Sequence, residues 1–241
     1  MAYLDTRLAD WPRPVLNPPR LIRRCAREAV YKLLHAIPGL LVPVTRRLGR
    51  GQVRQVAMPF TIRPVDTQGG NGLVKIDSCA ELEAVIDQYP ATDYHVADFV
   101  DYRSDDGHYR KFRIALIDGQ PYLCHLAVSD HWMVHYRSAG MALDADKRAE
   151  EAWAMAHFDA DFALRHQSVL QMMAARLGLD YVVLDVSETR DGRLLLFEAD
   201  SRGWIHATDP VDLFPYKPAV MQKAFDAFRA MLLRHAQQAR G

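Results

Sequence analysis

The hydrophobic positions of this chain follow two periods, and the changes of period mark its elements. Leu21, Ile22, Cys25, Ala29, Val30, Leu33, Leu34 and Ile37 recur at helical spacing, which predicts a helix over 21–37 stopped by Pro38-Gly39. Before it, residues 1–19 hold Pro12, Pro14, Pro18 and Pro19 and read as an extended arm. Proline removes backbone donors, and the residue before it avoids the helical region. The segment 46–55 has little periodicity and is expected as an exposed loop. MPFTIRPV (58–65) and the segment 73–76 alternate as strands, joined over the glycine-rich run from Asp66 to Gly72. Ser78 with Glu81 three residues on has capping-box spacing and opens a helix to about residue 88.

Strands are predicted over 94–100, 110–117 and 121–128, the last two joined by the hairpin dipeptide Asp118-Gly119. Asp144 or Asp146 starts a long helical stretch to about residue 177, with Trp153, Phe158, Phe162, Val169, Leu170 and Met173 as its apolar positions. A second hairpin, 181–186 and 193–197, turns at Asp191-Gly192, and an amphipathic helix over 219–236 closes the chain. There is no internal repeat. This order implies an α+β fold with largely antiparallel sheets.

Composition narrows the function classes. The 241 residues are 49% hydrophobic and 25% charged, which excludes collagen-like, low-complexity and wholly disordered chains. Thirty basic and thirty acidic residues cancel, so the excess charge that would wrap a nucleic-acid backbone is missing. Cys25, Cys79 and Cys124 lie far apart with no metal or redox spacing, which suggests reduced thiols in the cytoplasm. The first residues contain no apolar signal region, and the longest apolar run, 38–44, is far below the roughly 20 residues of a spanning helix. A soluble cytoplasmic protein with neither membrane nor nucleic acid as partner is expected. Charge is locally uneven, however. Between Trp11 and Val65 eleven Lys/Arg face a single acid, Glu28, which is either a solvated surface or one that meets phosphates.

Three constellations could carry chemistry. Asp185 ends one strand of the last hairpin, while Glu198 and Asp200, two apart on the next, share a face. Three carboxylates there repel unless a cation sits among them, and an oxygen-only set suits magnesium; the alternative is a solvated polar face. Gly69, Gly70 and Gly72 leave backbone amides free to approach an anion, although a plain hairpin turn also explains them. His125, His131 and His135 fall in HLAVSDHWMVHY, which reads as a strand. Structural or substrate-contacting histidines fit that run better than zinc ligands.

Taken in order, these pieces resemble the ATP-grasp superfamily. They are most similar to the branch of glutathione synthetase and the ribosomal-protein glutamate ligases, and to ATP-grasp domains found with tetratricopeptide repeats. The resemblance runs from about residue 15 to the C-terminus and is most specific in LDYVVLDVSETRDGRLLLFEAD. It implies two α+β subdomains with antiparallel sheets that grip ATP between them. In numbers, this means an arm 1–19, a helix and loop 20–56, a small subdomain 57–100 and a large one 101–241. By resemblance Asp185, Glu198 and Asp200 hold magnesium, or manganese, with Asp200 where the family usually has Asn. Arg63 stands for a phosphate-binding lysine, and Gly69, Gly70 and Gly72 for the lid over the phosphates. Val96 to Phe99 would pair with adenine through the backbone, and Asp98 or Asp101 would take the place of a ribose-binding acid, because Lys111 falls near that acid's position. Arg113 matches an arginine facing the transferred phosphate, and His135 and Arg137 become candidates for an acyl-phosphate pocket.

Two departures qualify the likeness. Arg27 keeps an arginine of the family's early helix, but Ala29 replaces its ATP-binding lysine. By the same resemblance, only the arm is expected in the place of the family's preceding α/β lobe. The implied activity is an ATP-dependent, ADP-forming ligase joining a carboxylate to an amine or thiol. A nucleotide-binding scaffold or regulatory subunit, or a small-molecule ATP-grasp kinase, is the alternative. A homodimer, or docking to a partner protein, is expected through the N-terminal third.

Overall fold

In chain order the elements are α1 (Ala2–Leu8), α2 (Pro19–Ile22), α3 (Arg27–Leu34), β1 (Leu40–Leu41), β2 (Thr45–Gly49), β3 (Phe60–Pro64), β4 (Val74–Ile76), α4 (Cys79–Gln88), β5 (Asp93–Asp98), β6 (Tyr109–Ile117), β7 (Gln120–Ser129), α5 (Ala145–His157), α6 (Phe162–Arg165), α7 (Gln167–Leu177), β8 (Tyr181–Glu188), β9 (Leu194–Asp200) and α8 (Lys217–Gln238). The computed structural model describes residues 2–67 and 69–238. They divide into two units, one formed by the residues up to Leu41 with those from Tyr102 onward, the other by Val42–Asp101. The architecture is α+β, and every strand pair is antiparallel except β1 with β9.

The smaller unit is a four-stranded sheet, β2-β5-β3-β4, with α4 on one face. Alternation along the strands turns Phe60, Ile62, Ile76, Tyr94 and Val96 to that face, where they bury against Leu82, Val85 and Ile86 of α4. The capping box forms as its spacing predicts: Glu81 N–H donates to Ser78 Oγ, and Glu81 Oε2 accepts from Ser78 N–H. This satisfies orphan donors of the first helical turn, an arrangement whose loss costs about 1 kcal/mol.

In the larger unit a five-stranded sheet runs β1-β9-β8-β6-β7. Leu170, Met173 and Leu177 of α7 and Met221, Ala224 and Met231 of α8 are buried at helical spacing. The Asp118-Gly119 turn has both residues at positive φ, the conformation a two-residue hairpin demands.

Several sequence expectations change. Residues 2–8, expected extended, form α1, and the arm is fastened to its own chain. Asn17 N–H donates to Asp180 Oδ2 at 2.8 Å, and Asn17 Nδ2 to the Tyr181 carbonyl at 2.6 Å. The helix expected over 21–37 breaks into α2, a 3-10 turn and α3. The stretch expected as one helix over 144–177 becomes α5, α6 and α7. The segment 46–55 is not a loop throughout, since β2 pairs along β5 from Thr45 to Gly49. Residues 130–135 after β7 are irregular rather than a strand, because Ser129 Oγ accepts from His131 N–H and turns the chain. The smaller unit runs from Val42 to Asp101, and residues 2–41 belong with the larger unit. No helix among the described residues is long and apolar enough to cross a membrane.

Candidate functional site

Lys111 and Arg113 lie two apart on β6, so both side chains leave one face of the larger sheet. The register sets Arg113 opposite His125 of β7 and opposite Asp185 of β8, and Asp185 opposite Glu198 of β9. A single row thus crosses four strands. The ladder slips by one residue on both sides of this row, between Arg113 and Ile114 and between Asp185 and Val186. Such bulges raise the local twist and re-aim side chains. Here they fall beside Arg113 and Asp185.

Asp185 is buried at 7% exposure and gripped by two cations. Arg113 donates from Nε to Oδ1 at 2.8 Å and from Nη2 to Oδ2 at 3.1 Å, while Lys111 Nζ lies 3.2 Å from Oδ2. Burial alone pushes this carboxyl up. The Lys111 charge and the Arg113 fork outweigh it and hold Asp185 well below the usual carboxylate range. Glu198 accepts from Arg27 Nη2 at 3.0 Å, and Asp200 Oδ1 accepts from the Arg202 N–H at 2.8 Å. Beyond Asp200, Gly203 passes so close to β8 that a Cβ there would lie 2.3 Å from Val183 Cβ. Asp185 and Glu198 are thus paired with three cations, Lys111 and Arg113 of the sheet and Arg27 of α3, and Asp200 follows two residues after Glu198 on the same strand.

The donor chemistry of Asp185, Glu198 and Asp200 fits a hard divalent cation. Their ligand atoms are not gathered, however. Among the described residues the group with ligand atoms within 4.8 Å of one another is Asp118, Asp180 and His235, and Arg234 already contacts Asp118 there.

The histidines separate. His125 is buried with its ring tilted against that of Tyr136 at 4.4 Å between ring centroids; burial, with the Arg113 charge, lowers its pKa well below the ordinary value. His135 is half-buried and its pKa is lowered by burial and then by Lys111, which places it beside the row. Arg137, in the turn Tyr136–Ser138, is exposed, and so is His131. His206 is lowered by burial, and the Lys217, Arg137 and Arg113 charges act on it in the same direction.

A buried polar cluster that the sequence reading missed supports this region. Glu151 Oε2 accepts from Tyr136 at 2.9 Å and Tyr216 at 2.7 Å, and Oε1 accepts from the Leu126 N–H at 3.1 Å. Lys217 Nζ lies 3.1 Å from Glu151 Oε1, 2.8 Å from Asp209 Oδ2 and 4.0 Å from the Tyr136 ring centroid. Burial pushes Glu151 up, and Lys217 and the tyrosine hydroxyls pull it back. The cluster ties α5, the Tyr136 turn and the start of α8 to β7. No local motif announces it, because its members come from separate segments. Lys111 had a signal: its spacing of two from Arg113 on a strand.

In the smaller unit the sheet face away from α4 is basic. Arg47 of β2 is opposite His95 of β5, which is opposite Arg63 of β3, and Lys75 of β4 is opposite Thr61 on the same face. Arg63 is buried and donates from Nε to Thr67 Oγ1 at 3.2 Å. Gly69, Gly70 and Gly72 all have positive φ, and at Gly72 a Cβ would meet Pro64 at 2.9 Å. Gln68 of this loop lies outside the described residues. Val96 is buried on β5, one of the two inner strands. The N–H groups of Asp98 and Phe99 donate to the carbonyls of Val44 and Pro59, so these two donors are engaged within the unit. Asp98 pairs with Arg46 at 3.2 Å, Lys75 Nζ sits 4.5 Å over the Phe99 ring, and Asp101 is exposed.

No family model matches the chain, and no curated protein is similar to it in sequence. Solved structures are. The chain is similar to the ATP-grasp ligase PsnB complexed with a minimal precursor, at 16% identity and a TM-score of 0.54, over 96% of this chain and 69% of that one. It is similar to the macrocyclase MdnC of Microcystis aeruginosa bound with its precursor peptide MdnA, at 12% identity and a TM-score of 0.52, covering 90% and 67%. It is similar to the L-amino acid ligase of Bacillus licheniformis, at 15% identity and a TM-score of 0.51, covering 82% and 45%. The chain thus spans less than half the length of the Bacillus ligase. At these identities the likeness is one of fold.

Proposed function

We propose that this chain, whose fold is that of the ATP-grasp ligases, is an ATP- and magnesium-dependent ligase that joins a carboxylate to an amine or thiol. The observation that carries the reading is the row of Arg113, Asp185 and Glu198, flanked by Lys111 and Arg27. Asp185, Glu198 and Asp200 would hold the metal. Magnesium bound there supplies charge neutralisation for a polyphosphate. The reaction runs in two steps. A substrate carboxylate oxygen attacks the γ-phosphorus of ATP, the bond to the bridging oxygen breaks, and an acyl phosphate and ADP form. The amine or thiol then attacks the carbonyl carbon, loses a proton and expels phosphate.

The chain's own part in this chemistry is binding and charge placement. Arg113 and Arg137 are assigned to the transferred phosphoryl group, and His135, whose pKa is lowered, to the acyl-phosphate pocket as a neutral hydrogen-bonding group. Arg63, Arg27 and the loop with Gly69, Gly70 and Gly72 are assigned to ATP, together with Val96, Asp98, Phe99 and Asp101. Release of ADP, measured with and without candidate acids and amines, tests the reading. Glu198→Gln should abolish magnesium-dependent turnover and leave the circular dichroism spectrum intact. Undiminished turnover in that variant would sink the metal assignment.

A second reading, a nucleotide-binding scaffold with little catalysis, is favoured by Ala29 at the lysine position. ADP release that no acid or amine stimulates would select it.

A further inference from the structure

Asp185 carries one negative charge and touches two positive groups. The Arg113 fork already engages both of its oxygens, so Lys111 is a second cation on an atom that needed only one. Its side chain is 12% exposed, which limits screening by water. Arg27 on Glu198 completes the balance of three cations against three carboxylates. A dication arriving alone at this row meets a site already neutral and two fixed charges of its own sign beside Asp185. A polyphosphate changes that sum, because it brings several negative charges and offers Lys111 and Arg113 new partners.

Resting on the metal assignment above, we propose that Lys111 is a resident countercation that makes divalent-metal binding at Asp185 conditional on polyphosphate. Lys111 suppresses binding of free metal and favours binding of the metal–polyphosphate complex. Such coupling is reciprocal: metal strengthens polyphosphate binding by the same factor as polyphosphate strengthens that of metal.

The test is equilibrium dialysis of Mn2+ against the full chain, with and without inorganic tripolyphosphate, reading protein-bound metal by electron paramagnetic resonance. In the unsubstituted chain, tripolyphosphate should strengthen Mn2+ binding by about a hundredfold, within the usual range of coupling between two sites. Lys111→Gln should bind Mn2+ alone about tenfold more tightly, and its coupling to tripolyphosphate should shrink by a similar factor. Lys111→Arg, which keeps the charge, should behave as the unsubstituted chain. Circular dichroism checks each fold, and Lys111→Met replaces the glutamine variant should that one unfold. Unchanged Mn2+ affinity and unchanged coupling on removal of the Lys111 charge would overturn the inference. Asp185→Asn separates the two layers. If it binds Mn2+ as the unsubstituted chain does, the metal assignment itself fails. If it loses Mn2+ while Lys111→Gln matches the unsubstituted chain, only the role of Lys111 fails.

Discussion

The two sheets carry their charges in opposite ways. The larger unit, besides exposed pairs, holds two buried acids that are matched: Asp185 with Arg113 and Lys111, Glu151 with Lys217 and two tyrosines. In the smaller unit most cations stand at the rim in exposed pairs, Arg54 with Glu83 and Arg47 with Asp93 among them. A buried pair holds its geometry because neither partner can turn to water, and losing one strands the other. An exposed pair contributes little and yields readily to an incoming ligand. The larger unit is therefore preorganised around its acids, and the basic face of the smaller unit is adjustable.

The largest expected effect tests the matched side. Glu151→Ala removes one of the two carboxylates on buried Lys217, leaving Asp209, and strands the Tyr136 and Tyr216 hydroxyls; it should cost about 3 kcal/mol, read from urea denaturation. A double variant, Glu151→Leu with Lys217→Met, should recover part of that loss, since an apolar pair of similar volume tolerates burial. A loss below about 1 kcal/mol for the single variant, the range of an exposed pair, would break the comparison.

Next is Asp185→Asn, which sets Arg113 and Lys111 side by side with a neutral partner. It should destabilise by about 2–3 kcal/mol, less than Glu151→Ala because the amide still accepts hydrogen bonds.

His125 gives a pH signature. Its pKa is depressed in the folded chain, so below the ordinary value of about 6.5 the unfolded chain binds the proton and the folded chain does not. Its stability contribution is present above that value and lost as pH falls below it. Urea midpoints should therefore decline between about pH 7 and pH 5, and His125→Gln should flatten the decline. An unaltered slope in the variant would place the titrating group elsewhere.

The smallest effects belong to the adjustable side. Arg63→Ala should weaken ATP binding in calorimetry. Arg54→Ala, on an exposed pair at the rim, should change neither ATP binding nor the denaturation midpoint. Equal ATP affinity in the two variants would remove Arg63 from the phosphate assignment. Arg47 is unsuitable as the control, because β2 puts it in the same row as Arg63.

What the sequence determined by itself is what short-range physics dictates. Ser78 and Glu81 can cap only the helix they begin, Asp118-Gly119 can only turn tightly, and alternation alone puts Glu198 and Asp200 on one face. The α+β class followed from such local signals, and so did the resemblance that singled out Asp185, Glu198 and Arg113. Tertiary structure decided the rest. Local periodicity ran one helix over 144–177, and the chain instead breaks around α6, where Phe162 packs on Phe112 of the sheet at 4.3 Å between ring centroids. Proline content suggested an extended arm, and its partners are set elsewhere in the chain: Asn17 hydrogen-bonds Asp180 and Tyr181. The bulges beside Arg113 and Asp185, the second cation on Asp185 and the Glu151–Lys217 pair depend on which strands and helices become neighbours. Contacts between distant segments leave no period in the chain, because each partner alone has the residue type of an ordinary surface position.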